Sequence, residues 1–378
     1  MKTILCSLLN QCRSTLLLPL LWLLMSSSFA ADPKILEIGS HAPDFNLPGI
    51  DGKNYTLKSF AQAKVLVIIF TCNHCPTAQA YEDRMIGLVN DYKGKGVAVV
   101  AVSPNDPQAI RLDELGYTDL GDSFAEMKIR AKDKGYNFPY LFDGETEKMS
   151  LVYGPAATPH AFIFDKERKL RYRGRLDASE KPGTAHAEDA RNAIDALLAG
   201  KPVAVETTKT FGCSVKWKEK EAGAKQGLAE WAKEEVSLEL IADVGLQALL
   251  KNDTDKTRLI NVWATWCGPC VIELPEFVTI NRMYRNRDFE LITISADKPD
   301  KKDKALATLK RVQASSKNYL FNSTDMYKLI ELIDPDWQGA LPYTLLIEPG
   351  GKKIYKRQGA IVPLEMKKMI VDKLGRVY

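Results

Sequence analysis

Two apolar stretches in this chain each lead into a pair of cysteines separated by two residues, and then into a stretch with helical periodicity. The first stretch, residues 64–70, precedes the pair at 72 and 75, and the second, residues 258–263, precedes the pair at 267 and 270. Continuous apolar runs rich in β-branched residues are typical of strands buried on both faces, as in parallel sheets covered by helices. The pattern therefore predicts two α/β units, each with two thiols between a central strand and a helix.

The position of these cysteines predicts their chemistry. A thiol at a helix N-terminus lies at the positive end of the helix dipole, which stabilises the thiolate and lowers its pKa. A second thiol three residues later can then displace a bound sulfur by forming an intramolecular disulfide. Cys72 with Cys75, and Cys267 with Cys270, are therefore two candidate sites of dithiol–disulfide exchange.

The elements after each cysteine pair repeat in the same order. Each half continues with strands and helices and closes with a hairpin, predicted to begin near residues 161 and 343, followed by a helix. Strand–helix–strand followed by strand–strand–helix is the order of the thioredoxin fold. We expect an α/β protein with two tandem thioredoxin-like folds, each a central mixed sheet flanked by helices, over residues 31–220 and 221–378.

The first thirty residues have the features of a signal peptide. Basic residues precede the apolar segment 16–25, and Ser28 and Ala30 fit the small-residue positions of a cleavage site. The apolar segment is ten residues long, whereas a membrane-spanning helix needs about 20. We expect residues 1–30 to be removed and the mature chain, without a transmembrane span, to be exported to the bacterial periplasm or cell envelope. An uncleaved N-terminal anchor is the alternative.

Composition excludes some classes of function. The formal net charge is +4, and no basic stripe carries interleaved aromatic residues, so a nucleic-acid partner is not expected. No glycine-rich phosphate loop follows a predicted strand, so we expect no organic cofactor.

The number of cysteines implies a redox partner. Removal of the signal peptide takes away Cys6 and Cys12 and leaves the two pairs and Cys213. In an oxidising compartment, cysteine pairs act as redox sites only if a partner returns them to their starting state. We therefore expect a membrane or soluble redox partner. Cys213 could resolve a disulfide with the first pair, pass it towards the second pair, or be a buried thiol without a redox role.

The second pair lies in Trp266-Cys267-Gly268-Pro269-Cys270, in which Cys267 is expected to be the exposed nucleophile and Cys270 the resolving thiol. A structural zinc site is the alternative, but no second Cys/His pair stands at ligand spacing. With the preceding residues 263–265 and the following Glu273 and Pro275, this segment resembles the TlpA/ResA family of exported thioredoxin-like proteins over residues 238–378.

That resemblance implies further site residues. Glu273 would hold or accept a proton as the buried thiol ionises. Leu341 and Pro342 match the position of the family's cis-proline, whose backbone would bind an extended substrate segment beside Trp266. The substrates it implies are disulfide-containing exported proteins.

The N-terminal half, through residues 42–45 and 51–53, resembles the peroxiredoxin-like (AhpC/TSA, redoxin) branch of the same fold over residues 35–217. Here Thr158 and Pro159 match the cis-proline position. A peroxidase site has Thr or Ser three residues before its reactive cysteine, whereas Ile69 stands three residues before Cys72. The sequence therefore favours disulfide exchange over peroxide reduction at this site.

Two histidines lie near the first pair. His74 is expected to stabilise the Cys72 thiolate by its positive charge, which predicts a more oxidising site than that of the second pair. His160 is expected to face Cys72 and Cys75, where two thiols and an imidazole would suit a soft metal such as copper.

The function predicted from the sequence is an exported thiol–disulfide oxidoreductase with two C-x-x-C sites and no bound metal. One alternative is a thiol peroxidase that its own second module re-reduces. The other is a module that delivers copper or handles apocytochrome thiols during assembly of respiratory complexes.

Overall fold

The computed structural model describes residues 33–377. No helix in this range combines the length and apolar character needed to cross a membrane. The predicted signal peptide, residues 1–30, lies outside the described residues.

The N-terminal half contains a two-stranded and a five-stranded sheet. Its elements are β1 (Asn46–Pro48), β2 (Asn54–Thr56), β3 (Val65–Phe70), α1 (Pro76–Tyr92), β4 (Val97–Ser103), α2 (Phe124–Lys134), β5 (Tyr140–Phe142), α3 (Lys148–Tyr153), β6 (His160–Phe164), β7 (Leu170–Gly174) and α4 (Glu188–Leu198). The five-stranded sheet has the order β5-β4-β3-β6-β7, in which β6 and β7 are antiparallel to their neighbours.

The C-terminal half contains a six-stranded sheet. Its elements are α5 (Glu221–Trp231), β8 (Glu239–Ile241), α6 (Asp243–Lys251), β9 (Thr257–Trp263), α7 (Gly268–Tyr284), β10 (Phe289–Ser295), α8 (Lys302–Arg311), β11 (Lys317–Phe321), α9 (Met326–Ile333), β12 (Tyr343–Ile347), β13 (Lys353–Gln358) and α10 (Pro363–Leu374). The strand order is β13-β12-β9-β10-β11-β8. Both halves therefore have the predicted α/β plan of a mixed sheet flanked by helices.

The central strand β3 is buried on both faces, as its apolar sequence predicts. Because successive side chains of a strand point to opposite faces, alternate residues of β3 enter two different cores. One core holds Val65, Val67 and Ile69 with residues of α1, α2 and α4, and the other holds Leu66, Ile68 and Phe70 with residues of β1 and α3.

Strand register brings each cysteine pair next to a hairpin strand. Phe70, the last residue of β3, pairs with His160, the first residue of β6. In the second sheet, Val262 of β9 pairs with Tyr343, the first residue of β12. The loop that enters each hairpin therefore lies beside the loop that carries the cysteines.

Several elements differ from the sequence prediction, among them the short strand β2, which was not predicted. The helix expected over residues 238–250 begins only at Asp243, because residues 239–241 form the edge strand β8. Strand β11 and helix α5 were not predicted. α5 follows the charged segment at which the domain boundary near Lys220 is expected.

Candidate redox sites

The second cysteine pair lies at the N-terminus of α7. Cys267 is the N-cap residue, and its Sγ accepts a hydrogen bond from the Cys270 amide at 3.3 Å. The two residues form a disulfide. Cys267 is 7% exposed and Cys270 is fully buried, so Cys267 is the sulfur that an incoming group can reach. Cys267 is thus the more accessible of the two sulfurs, although its exposure is small.

Pro342 lies beside this disulfide. The Leu341–Pro342 peptide bond is cis, and Pro342 directly precedes β12, which pairs with β9. Leu341 packs in the same hydrophobic cluster as Cys267 and Cys270. The backbone expected to receive a substrate segment is therefore next to the cysteines.

The surface around the disulfide is apolar and exposed. Trp266 is 65% exposed and Ile272 is 79% exposed, although both are large hydrophobic residues. A groove of about 180 Å³ lies beside Trp266 and is lined in part by Phe321 and Met326. Exposed apolar side chains grouped around a reactive bond are typical of a site that binds another polypeptide.

Glu273 lies on α7 one turn after Cys270 and is buried. Its carboxylate accepts hydrogen bonds from the Ile361 amide and from the Asn261 side chain, each at 3.1 Å. Burial raises the pKa of Glu273, against the lowering effect of these two hydrogen bonds. The carboxyl is thus adapted to take up a proton near the cysteines at a higher pH than an exposed glutamate.

A buried carboxylate also fixes the turn before Cys267. Asp297 accepts hydrogen bonds from the Thr265 amide at 2.9 Å and from the Thr265 hydroxyl at 2.7 Å, and the Ser295 hydroxyl donates to it at 2.8 Å. This role of Asp297 was not predicted from the sequence. A usable signal was present, since Asp297 follows β10, the parallel neighbour of the strand that leads to the cysteines.

In the first module the helix begins later relative to the cysteines. α1 starts at Pro76, so its N-cap is Cys75, the second cysteine of the pair. Cys72 is 2% exposed and Cys75 is fully buried. The helix dipole therefore acts on Cys75 more directly than on Cys72.

Asp122 organises the loop between these cysteines. Its carboxylate accepts hydrogen bonds from the amides of Asn73 at 2.8 Å and His74 at 3.1 Å, and from the Asn105 side chain at 2.6 Å. His74 Nδ1 lies 2.7 Å from Asp122 Oδ2. Neither Asp122 nor Asn105 was predicted, although Asn105 follows β4, the parallel neighbour of β3.

The charged forms of His74 and Asp122 stabilise each other. Burial alone would lower the pKa of His74, but the adjacent Asp122 carboxylate raises it. Burial alone would raise the pKa of Asp122, but His74 and the hydrogen bonds from Asn105 and Asn73 lower it. The imidazolium–carboxylate form is therefore favoured inside the protein.

The pKa values of Cys72 and Cys75 are shifted in opposite directions. Burial, the hydrogen bond with Cys75 and the charge of Asp122 raise the pKa of Cys72. Burial opposes ionisation of Cys75 as well, yet hydrogen bonds with Cys213 and Cys72 and the charge of His74 lower its pKa. The sequence predicts that His74 stabilises the Cys72 thiolate, whereas in the structure the thiol at the helix N-terminus, whose pKa the charge of His74 lowers, is Cys75.

Thr158 contacts both thiols. Its hydroxyl lies 3.2 Å from Cys72 Sγ and its carbonyl oxygen lies 3.2 Å from Cys75 Sγ. The Thr158–Pro159 peptide bond is cis. The amide of Cys213 donates a hydrogen bond to Cys75 Sγ at 3.3 Å, so the structure brings the fifth thiol to this site.

His160 does not take the place expected for it. Its Nδ1 accepts a hydrogen bond from the Ala156 amide at 3.1 Å, and its ring packs on Phe162 with the centroids 4.4 Å apart. Burial lowers the pKa of His160 to about 3, so it is a neutral core residue. Among residues 33–377, the metal-ligating atoms that come within 4.8 Å of one another are instead those of Cys72, His74 and Asp122. Of these, the His74 and Asp122 side chains already bind each other.

Comparisons with known proteins agree with the fold. A sequence model of the AhpC/TSA family matches residues 38–173 and 233–356 of this chain, one segment in each half. The thiol-disulfide oxidoreductase ResA of Bacillus thuringiensis (strain Al Hakam) is 27% identical over 142 residues, which cover 38% of this chain and 72% of the relative.

Two solved structures are similar to half of the chain. A hypothetical protein, SMc02350, from Sinorhizobium meliloti 1021 is 34% identical, with a TM-score of 0.44, and the match covers 50% of this chain and 98% of that protein. An uncharacterized conserved protein from Geobacillus kaustophilus is 38% identical, with a TM-score of 0.44, over 50% of this chain and 96% of that protein.

Proposed function

The chain belongs to the AhpC/TSA family, since the model of that family matches more than half of its residues, and on this premise we propose an exported thiol–disulfide oxidoreductase with two cysteine-pair sites. The proposal assigns residues 1–30 to a signal peptide, residues 31–220 to the first domain and residues 221–378 to the second. Its substrates are disulfide-containing proteins of the periplasm or cell envelope. A membrane or soluble redox partner returns both sites to their starting state.

One observation carries the proposal. The Cys267–Cys270 disulfide lies at a helix N-terminus, beside the cis peptide before Pro342, under an exposed apolar surface formed by Trp266 and Ile272. This combination provides a reactive sulfur, a backbone for an extended segment and an apolar surface for its side chains.

The reaction at this site has two steps. In the reduced site, the Cys267 thiolate attacks one sulfur of a substrate disulfide, and the other substrate sulfur leaves as a thiolate that takes up a proton. The Cys270 thiol then loses its proton and attacks Cys267. The second substrate sulfur leaves and is protonated, and the Cys267–Cys270 disulfide remains. Two electrons and two protons have then passed to the substrate.

The surrounding residues assist each step. The N-terminus of α7 stabilises the thiolate of Cys267, which is its N-cap. Glu273, whose pKa burial raises, is placed one turn beyond Cys270 to accept the proton that this thiol must lose. Trp266 and the backbone at Leu341 hold the substrate segment.

Insulin reduction in the presence of dithiothreitol tests the proposal. Cys267→Ser removes the attacking sulfur, so we expect the rate to fall at least about a hundredfold, towards that of dithiothreitol alone. Glu276→Gln, at an exposed carboxylate of the same helix, is the matched control and should leave the rate unchanged. Unchanged insulin reduction by Cys267→Ser would contradict this assignment of the site.

A further inference from the structure

Residues 211–217, called the strap below, run along the first redox site. The Thr158 amide donates a hydrogen bond to the Cys213 carbonyl oxygen at 2.9 Å, and the two residues form an antiparallel β-bridge. Extended peptides are held at sheet edges by backbone pairs of this kind. The strap therefore occupies the position beside Pro159 in which an extended substrate would pair with this site.

Both ends of the strap are fixed to the first module. The ring of Phe211 packs against Tyr81 of α1, with the centroids 6.2 Å apart. At the other end, the Lys216 amide donates a hydrogen bond to the Asn105 side chain at 2.9 Å, and Trp217 is buried. Asn105 in turn binds Asp122, so the strap is joined to the network that holds the cysteine loop.

Gly212 permits the close approach of the strap to the site. Its φ is +128°, and a Cβ atom at this position would lie 2.1 Å from the Thr158 carbonyl oxygen. Glycine avoids both the unfavourable backbone angle and this clash. Gly212, the neighbour of Cys213, therefore allows the strap to lie close to the cysteine pair.

The strap brings a third sulfur against Cys75. The Cys213 amide donates to Cys75 Sγ at 3.3 Å, and the Cys213 side chain packs in one cluster with Cys72 and Cys75. Cys75 also packs against Cys72 in this cluster. It thus contacts a thiol on each side. Cys72 and Cys75 are at most 2% exposed, whereas Cys213 is only half-buried.

We propose that Cys213 is a relay thiol, through which disulfides outside the protein exchange with the buried Cys72–Cys75 pair. This inference rests on the proposed thiol–disulfide exchange activity and names how the first site is reached. Cys75 is the shared sulfur, because it contacts both of the other thiols and can form a disulfide with either.

The exchange is balanced in three steps. The Cys213 thiolate attacks an external disulfide, forms a mixed disulfide and releases one external thiol. Cys75 then attacks the Cys213 sulfur, releasing the second external thiol and forming a Cys75–Cys213 disulfide. Cys72 finally attacks Cys75, so that Cys213 regains its thiol and Cys72–Cys75 becomes the disulfide. Two electrons and two protons pass from Cys72 and Cys75 to the external disulfide.

The test uses the full chain with Cys267→Ser and Cys270→Ser, so that only the first site reports. The reduced protein is mixed with oxidised glutathione, quenched with acid and analysed by mass spectrometry. With Cys72→Ser added, we expect a Cys75–Cys213 disulfide. With Cys213→Ser added instead, formation of the Cys72–Cys75 disulfide should slow at least about tenfold, because direct attack on the buried pair is hindered.

Two variants separate the relay from other effects of the strap. Ser214→Ala, at the exposed neighbour of Cys213, should oxidise at the rate of the parent. Gly212→Ala keeps every thiol but displaces the strap, so with Cys72→Ser it should lower the yield of the Cys75–Cys213 disulfide. Circular dichroism at increasing temperature identifies any variant that fails to fold.

Two outcomes would overturn the relay. Oxidation of Cys213→Ser at the parental rate would show that external disulfides reach the pair directly, and faster oxidation would identify the strap as a mere cover. Insulin reduction by a chain that carries only Cys213→Ser is measured in parallel. It reports on Cys267 and Cys270, so the proposed activity can stand when the relay fails.

Discussion

The two modules have the same cysteine spacing at the same position of the same fold, yet their helices begin at different residues. α7 begins one residue after the first cysteine of its pair, and α1 begins one residue after the second. The helix dipole therefore acts on Cys267 in one module and on Cys75 in the other. A shared motif thus places opposite members of the pair at the helix N-terminus.

The position of proline explains this difference. Pro76 directly follows the first pair, and a residue before proline avoids the helical region of backbone angles. Cys75 accordingly has an extended backbone, with φ −72° and ψ 124°, and the helix begins at Pro76. In the second pair the proline lies between the cysteines, as Pro269 in the first turn of α7.

The two sites also differ in how accessible their cysteines are. The surface around Cys267 is open and apolar, with Trp266 and Ile272 exposed, whereas the strap covers Cys72 and Cys75. We interpret the second site as the one that binds polypeptides directly, and the first as one that exchanges through Cys213. The greater oxidising power expected of the first site stays a prediction, with Cys75 now as its stabilised thiolate.

Alkylation of the reduced protein at pH 7 gives the largest expected contrast between the sites. We expect iodoacetamide to modify Cys267 at least about a hundredfold faster than Cys72, because Cys72 is buried and its pKa is raised. Mass spectrometry of the peptides measures both rates in one sample. In guanidinium chloride the two rates should converge, and similar rates in the folded protein would remove the distinction drawn between the sites.

Asp122→Asn should loosen the first module alone. The change removes one charge of a buried pair and leaves His74 without its carboxylate, which costs about 3 kcal/mol. Hydrogen exchange of peptides from α1 should rise accordingly, while exchange in α7 stays the same. Asp91→Asn, at an exposed carboxylate that pairs with Arg191, is the control and should have a much smaller effect.

The Asp122–His74 pair of the unmodified protein predicts a pH dependence with a definite sign. The pKa of Asp122 is lowered from 3.8, so its contribution is present above that value and is lost as pH falls through the folded-state pKa. The pKa of His74 is raised from 6.5, so its contribution is present below that value and is lost as pH rises through the folded-state pKa. Protection of α1 should therefore be greatest between these two pH values, and equal protection across them would contradict the pair.

The regular elements were largely predictable because their sequence signals are local. Helices α1 and α4 and strands β5 and β10 have the predicted bounds, since each has clear periodicity or a continuous apolar run. The edge strand β8 was missed because it is three residues long and mostly exposed, so it has no alternation to detect. Its structure depends on pairing with β11, which is distant in sequence.

The site residues that belong to a sequence motif could be predicted. Those that reach the site from separate loops could not. The cysteines and both cis-prolines were found from spacing and resemblance, and the structure has both peptide bonds cis. The support from Asp122 comes from a single acidic residue in a loop, which nothing local distinguishes from a surface carboxylate. Asp297 has one signal, its position just after β10, the parallel neighbour of β9. The contact of Cys213 with Cys75 joins residues 138 positions apart.

Glu273→Gln should have the smallest effect and sharpens the account of the second site. Because burial raises the pKa of Glu273, its carboxyl is stabilising at low pH and this contribution is lost as pH rises above 4.5 through the folded-state pKa. Glutamine keeps an acceptor for the Ile361 amide, and its NH₂ group can donate to the buried Asn261 Oδ1, which has no partner among the described residues. The variant should therefore be at least as stable at pH 7, with a flatter dependence of the urea midpoint on pH.

Insulin reduction by Glu273→Gln should nevertheless fall severalfold, because the Cys270 proton has lost its acceptor. Glu276→Gln should change neither quantity, and a variant that loses stability at pH 7 would show that Glu273 is a structural carboxylate rather than a proton acceptor.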